Sequence, residues 1–415
     1  MSLQLPALRR ARQRFASSPT LDIRARVRAE LAQLRLSPGA RIAVAAGSRG
    51  ITNYAQIVTS VVRELERRGA RPFVVPAMGS HGKATPEGQR AVLASLGLDA
   101  SSLGVPIEAS MAVRELGRTA DGVPALLSEA ALDSEGVLLV NRVKPHTSFG
   151  GELGSGLIKM LAVGLGKQAG ASACHRALAR LGHAHVFRTV ARVLVEHAPI
   201  LGGLAIVEDQ GHQTSTLRFV PAPAFELEEP ALLREARAKL ARLPFEELDL
   251  LIVDRIGKDI SGTGMDPNVI GRGVHGYSSS LAERPPAGPV IWRIFARELS
   301  PDSYGNAVGI GMADFTTDRL IAAIDRQATQ ANVLTSLSLQ AAKLPLSFAR
   351  DREAIEAALA SLALDAPEQA RVVRIRDTLE LERLQLSPAC SAAGLELEGE
   401  AEPMAFDAEG QLLPW

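Results

Sequence analysis

The sequence predicts an α/β protein of two domains, each built on a mainly parallel sheet, with an active-site crevice between them. Three observations predict it. Short apolar runs without polar alternation recur at Arg41–Ala46, Arg71–Pro76, 136–141, 201–207 and 249–253, the pattern of parallel strands buried on both faces. Amphipathic helical stretches alternate with these runs. Glycine-rich polar loops leave several runs directly, at the strand ends where open parallel sheets bind ligands.

The chain opens with charged helical periodicity over 22–36, closed by the turn Ser37-Pro38-Gly39. The first apolar run ends in Gly47-Ser48-Arg49-Gly50, and a helix over 54–68 is stopped by Gly69. The second run ends in a loop carrying Gly79, Ser80 and His81, with helix resuming over 89–96. The run at 136–141 opens the densest stretch of the chain, and a helix over 177–197 carries His183, His185 and His197. The two histidines at 183 and 185 are spaced i, i+2, so they point to different helix faces and read as surface or core residues. A proline-bounded helix over 221–243 reads as the link that ends a first domain of residues 1–245. Residues 246–415 then form the second domain, with the extreme C-terminus free to return to the first. Strands are expected at 289–297, 307–310 and 370–375, helices over 314–340 and 346–364, and a turn-rich tail.

Composition narrows the function. The chain has 415 residues with 46 basic and 46 acidic side chains, a balance that points to no nucleic-acid partner. Hydrophobic residues at 46% and charged residues at 22% suit a soluble globular protein, and no apolar run reaches the roughly 18–20 residues of a membrane span. The N-terminus lacks the apolar segment of a secretory signal. Two cysteines, Cys174 and Cys390, exclude a disulfide framework and fit a reducing cytoplasm.

The stretch 141–175 carries the chemistry. His146 precedes a loop with Ser148, Gly150, Gly151, Gly154, Ser155 and Gly156; Lys159 and Lys167 follow, then His175. Glycines let backbone N–H groups approach an anion closely, a lysine adds a charge or an amine nucleophile, and histidines bind metal or move protons. Arg49, His81 and His146 each follow an apolar strand, so three loops can converge on one site. The histidines permit one metal ligand plus two proton-transfer groups, or three ligands. HExxH, CxxC, GxSxG and GxxxxGK[ST] are all absent, as is GxGxxG after the first strand. A second polar loop, 254–268, offers Lys258, Asp266 and Asn268 for substrate contacts.

In order and spacing, these residues resemble the nickel-pincer-dependent lactate racemase family of 2-hydroxyacid racemases and epimerases. The matching motifs are Ser48-Arg49, Gly79-Ser80-His81, Pro145-His146, Ser155-Gly156-Leu157-Ile158-Lys159 and His175. The resemblance implies an isomerase that uses a nickel-pincer nucleotide, a pyridinium-3,5-bisthiocarboxylic acid mononucleotide carrying Ni. By match, Lys159 is the covalent tether and His175 the nickel ligand. His81 and His146 are the acid/base pair that serves hydride transfer at C2. Arg49 holds a carboxylate, and Ser48, Ser155 and Gly156 contact the cofactor. Cofactor-making proteins are the implied partners. The chain departs from the family pattern at Ala46, where an acidic residue is usual, and in a loop before Lys159 about three residues longer. It also has Ser261-Gly262-Thr263-Gly264 where the lactate enzymes place bulkier side chains. With Asp266, Asn268 and Arg272 beside them, those small residues imply a hydroxyacid larger or more polar than lactate. Two rival readings are a two-domain protein that binds an anionic metabolite without turnover, and a nicotinamide-dependent dehydrogenase or epimerase.

Overall fold

In a computed structural model, which describes residues 3–147, 151–274 and 288–415, the chain divides into two α/β units. The first comprises Ala16–His146 and Gly151–Leu240, and the second Met1–Phe15 and Ala241–Trp415.

The first unit carries a five-stranded sheet in the order Arg71–Pro76, Arg41–Ala46, Gly136–Arg142, Ile200–Glu208, Thr214–Pro221. The first four strands are parallel and the last is antiparallel. The central strands are buried along nearly their whole length, as their unbroken apolar runs demand. Tyr54–Arg67 lays Ile57, Val58, Val61, Val62 and Leu65 on the sheet at helical spacing. Each such side chain contributes about 1.5–3 kcal/mol by leaving water. The expected helix over 177–197 is two helices, Lys167–Leu181 and His183–His197, because Gly182 at φ +75° breaks the run. The expected linker at 221–243 is a packed helix, Phe225–Ala238, whose buried stripe of Phe225, Leu232, Leu233 and Ala236 belongs to this unit.

The second unit carries an eight-stranded sheet in the order Leu346–Phe348, Phe315–Thr317, Val290–Leu299, Glu247–Ile256, Val372–Ile375, Arg383–Leu386, Leu8–Gln13, Leu395–Glu402. Pairing is parallel through the first five strands and antiparallel through the rest. Residues 3–15 therefore group with this unit, whereas the sequence reading places them in the first domain. The C-terminus also stays in this unit: Trp415 Nε1 donates to Asp254 Oδ2 at 2.6 Å. Residues 307–310 form no strand. Gly309 at φ +101° starts the short 3₁₀ turn Ile310–Met312 instead. The expected helices over 314–340 and 346–364 each begin with a short strand, which continues the parallel ladder before the helix starts. Among the described residues, no helix is long and apolar enough to cross a membrane.

Candidate functional site

The strands Arg41–Ala46, Arg71–Pro76 and Gly136–Arg142 are mutually parallel neighbours, so the loops after them leave the same edge of the sheet. Those loops carry Ser48-Arg49, His81 and His146. Ala77 N donates to Ala46 O at 2.7 Å, which fastens the second loop to the first. The buried Tyr54 hydroxyl accepts from Gly47 N at 2.7 Å and donates to Val140 O at 3.0 Å, joining the first loop to the third strand. Burial raises the Tyr54 hydroxyl above its ordinary pKa, so it stays a neutral donor. Ser48 Oγ lies 2.5 Å from His81 Nδ1, a contact that orients the imidazole ring.

The loop after Gly136–Arg142 is closed at its base by Lys144 and Ser155, which exchange backbone bonds of 2.9 Å. Ser148 and Gly150 lie outside the described residues. Asn141 Nδ2 donates to Gly156 O at 2.8 Å. The amides beyond Gly156 do not face a free anion site. Ile158 N donates to Glu229 Oε2 at 2.9 Å, and the Leu157 amide also bonds this carboxyl. A Cβ on Gly156 would sit 2.3 Å from Glu229 Oε1. The anion for which the sequence reserved this loop is thus supplied from within, by the helix Phe225–Ala238. Burial pushes the Glu229 carboxyl up to about 7, against the pull of those amides.

Lys159 ends the short helix Leu157–Lys159, which runs through a π-helical turn, Met160–Gly164, into Lys167–Leu181 with His175. Single π turns interrupt helices often at functional sites. Lys159 Nζ lies 2.5 Å from His146 Nε2. Burial, then the nearby charge of Arg49, pushes the Lys159 amine down to about 7. His146 is held well below its ordinary value, by burial first and then by Lys159, His183, Arg49 and His175. Two cationic groups so close in a desolvated place cannot both stay charged, so near neutral pH the pair holds one proton or none. Arg49 lies in the loop after Arg41–Ala46 and is exposed.

The structure therefore gathers Arg49, His146, Lys159 and His175 into one neighbourhood and reaches His81 through Ser48. It adds His183, which is buried beside Phe187 and within electrostatic reach of His146. Sequence reading set His183 aside by comparing it with His185, its neighbour in the chain; its neighbour in space comes from another strand end. Glu229 was also missed. A signal existed: Phe225, Glu229, Leu232, Leu233 and Ala236 form one helical stripe, and a carboxyl stands within it. Cys174, beside His175, is buried with its thiol pushed up to about 12, which keeps it protonated and unfit as a thiolate ligand. Among the described residues, no group of three or more His, Cys, Asp or Glu side chains is arranged to hold a metal, so the three-ligand arrangement of His81, His146 and His175 is not formed.

Lys258, Asp266 and Asn268 belong to the other unit, where they shape their own loop. Lys258 Nζ donates to Gly262 O at 2.7 Å. Asp266 Oδ1 caps the turn Pro267–Ile270 by accepting from Asn268 N at 3.0 Å and Asn268 Nδ2 at 2.8 Å. Arg272 spends its guanidinium on Met312 O, Ile291 O and Asp314, so it serves the fold. Gly264 is small because its backbone is left-handed and a Cβ would meet Val308 O at 2.2 Å. The small residues of this loop thus answer first to local packing.

Residues 29–185, which carry Arg49, His81, His146, Lys159 and His175, match the family model for the lactate racemase N-terminal domain. The fold as a whole is similar to that of the lactate racemase apoprotein from Thermoanaerobacterium thermosaccharolyticum. That structure matches with a TM-score of 0.53 and 13% identity, over 91% of this chain and 94% of the other. A search of curated protein sequences gives no match. Residues 29–185 are thus similar to the lactate racemase N-terminal domain, and the chain as a whole shares the fold of that apoprotein.

Proposed function

We propose that this protein is a cytoplasmic isomerase that inverts C2 of a 2-hydroxyacid with a nickel-pincer nucleotide bound through Lys159. One observation carries the reading: a lysine amine lowered to about 7 lies 2.5 Å from an imidazole, beside Arg49 and His175, in a lactate racemase N-terminal domain. An anion-binding module does not require an uncharged amine, whereas acylation of a lysine does. The donor set fits the group. The pincer carries its own carbon and sulfur donors, so the protein needs to offer one imidazole, and soft sulfur with imidazole suits Ni(II). Lys167, the lysine that follows Lys159, donates from Nζ to Pro76 O at 2.6 Å, which favours Lys159 over Lys167 as the tether.

Held by Lys159 and His175, the cofactor would supply reversible hydride-acceptor chemistry for C2. The chain's own residues would do the rest. Arg49 offers a planar fork for the substrate or cofactor carboxylate. His146, held neutral by its surroundings, takes the hydroxyl proton of one enantiomer, and His81, oriented by Ser48, serves the other. Capture of the Lys159 amine removes its charge and frees His146 Nε2 for substrate.

The test is nickel content and intact mass of protein co-produced with the cofactor-making enzymes. Covalent added mass and near-stoichiometric nickel are expected, both lost in a folded Lys159→Ala variant. Retention of the full cofactor mass in that variant would refute the tether.

A further inference from the structure

Lys167 and Gln89 are both fully buried in the first unit, yet neither belongs to the chemistry assigned above. Lys167 Nζ donates to Pro76 O at 2.6 Å and to Gln89 Oε1 at 3.1 Å. Gln89 Nε2 donates onward to Gly79 O at 2.9 Å and, at 3.4 Å, to His81 O. The chain of contacts runs from the start of the His175 helix, through the helix Pro86–Ser95, to the backbone of the His81 loop. Both acceptors of the Lys167 amine are uncharged. Burying an ammonium without a facing carboxylate is costly, and burial pushes this one down to about 8. A leucine or methionine would fill the space at lower cost, so core packing alone does not account for the lysine.

The backbone around this pair is also unusual. Lys167 is left-handed at φ +54°, and in the His81 loop Gly79, Gly82, Lys83 and Ala84 are left-handed at +58°, +67°, +57° and +53°. Left-handed non-glycine residues persist where surrounding contacts over-determine them, and they cluster at functional sites. Lys167 and Gln89 hold Pro76, Gly79 and His81 through their carbonyls, alongside backbone bonds from Gly79 N to Gly164 O at 3.0 Å and from Ala84 N to Ser80 O at 3.1 Å.

We propose that Lys167 and Gln89 are positioning residues that clamp the backbone of residues 76–81, fixing the His81 imidazole against Ser48 for proton transfer. The proposal rests on the reading of His81 as a proton-transfer group, but its first readout does not need the cofactor. In apoprotein labelled with ¹³C and ¹⁵N histidine, the His81 ring signals report its tautomer and mobility. Gln89→Glu keeps an acceptor for Lys167 Nζ and removes the amide donor to the loop carbonyls; Lys167→Met removes the other end of the clamp. In both, the His81 ring is expected to shift toward the tautomer mixture of a free imidazole, with the His185 and His197 signals unmoved. In loaded enzyme, turnover should fall roughly 10- to 100-fold with KM within about twofold, the signature of a misplaced group and not of weaker binding. Folded variants with wild-type His81 ring signals would overturn the proposal. So would loss of folding in both, which would make the pair core and not clamp. Loaded wild-type enzyme that inverts no hydroxyacid would overturn the functional reading, while the ring signals would still decide the clamp.

Discussion

Lys159 Nζ and His146 Nε2 stand 2.5 Å apart, and the lysine's charge adds to burial in holding the imidazole below its ordinary pKa. The geometry makes the lysine a nucleophile near neutral pH and the histidine a base whose strength depends on the lysine's charge.

The His146 ring should therefore respond to that charge. Burial is the larger cause of its lowered pKa and the Lys159 charge the next. In Lys159→Gln the second cause disappears and the first remains. The His146 midpoint should rise, while staying below that of an exposed histidine. Titration of the labelled ring by NMR checks this; an unchanged or lower midpoint would show that the two groups are not coupled.

Glu229 predicts a pH-dependent stability. Its folded pKa is raised from 4.5 to about 7, so between those values the folded protein binds more protons than the unfolded chain. Stability then falls as pH rises through this window, and the cost is fully present above about 7. Glu229→Gln keeps an acceptor for Ile158 N without the buried charge. At pH 8 the variant should be more stable than wild type by up to about 3 kcal/mol, and the difference should vanish below about pH 4.5. Denaturant melts at the two pH values measure it; an equal difference at both would contradict the assignment.

Asp351 should be a point of failure for the second unit. It is fully buried and accepts from Arg297 Nη2 at 2.7 Å, Arg319 Nη2 at 2.7 Å and Leu412 N at 2.8 Å. Arg297 also reaches Asp254 at 2.7 Å, and Asp254 bonds Arg374 and Trp415. Asp351→Ala leaves a buried guanidinium short of its counter-charge, at a cost of about 3–5 kcal/mol. A loss below about 1 kcal/mol in thermal or denaturant melts would mean the network is dispensable.

The first unit was legible in the sequence because its strands are continuous apolar runs and its chemistry sits at their ends. Arg41–Ala46 and Arg71–Pro76 were read to the residue for that reason. The outer strands of the second unit were not legible. Leu8–Gln13 and Leu395–Glu402 are charged and partly exposed, and they pair across nearly the whole chain, with Arg10 opposite Glu398 and Arg12 opposite Glu396. No local pattern carries that partnership. The strand-end residues Arg49, His81 and His146 were readable from position. The supporting groups Glu229, His183, Gln89 and Lys167 were not, because burial and not local sequence gives them their roles.

The central claim is inversion at C2 by hydride transfer, and the most direct measurement follows deuterium at C2. Cofactor-loaded protein is incubated with C2-deuterated lactate, glycerate, malate and phenyllactate in ordinary water, and the inverted product is analysed by mass spectrometry. The account predicts that a member of this set is inverted, with slowed turnover and with deuterium largely retained in the product. Loss of the label to water at the rate of inversion would contradict hydride transfer and the cofactor assignment with it.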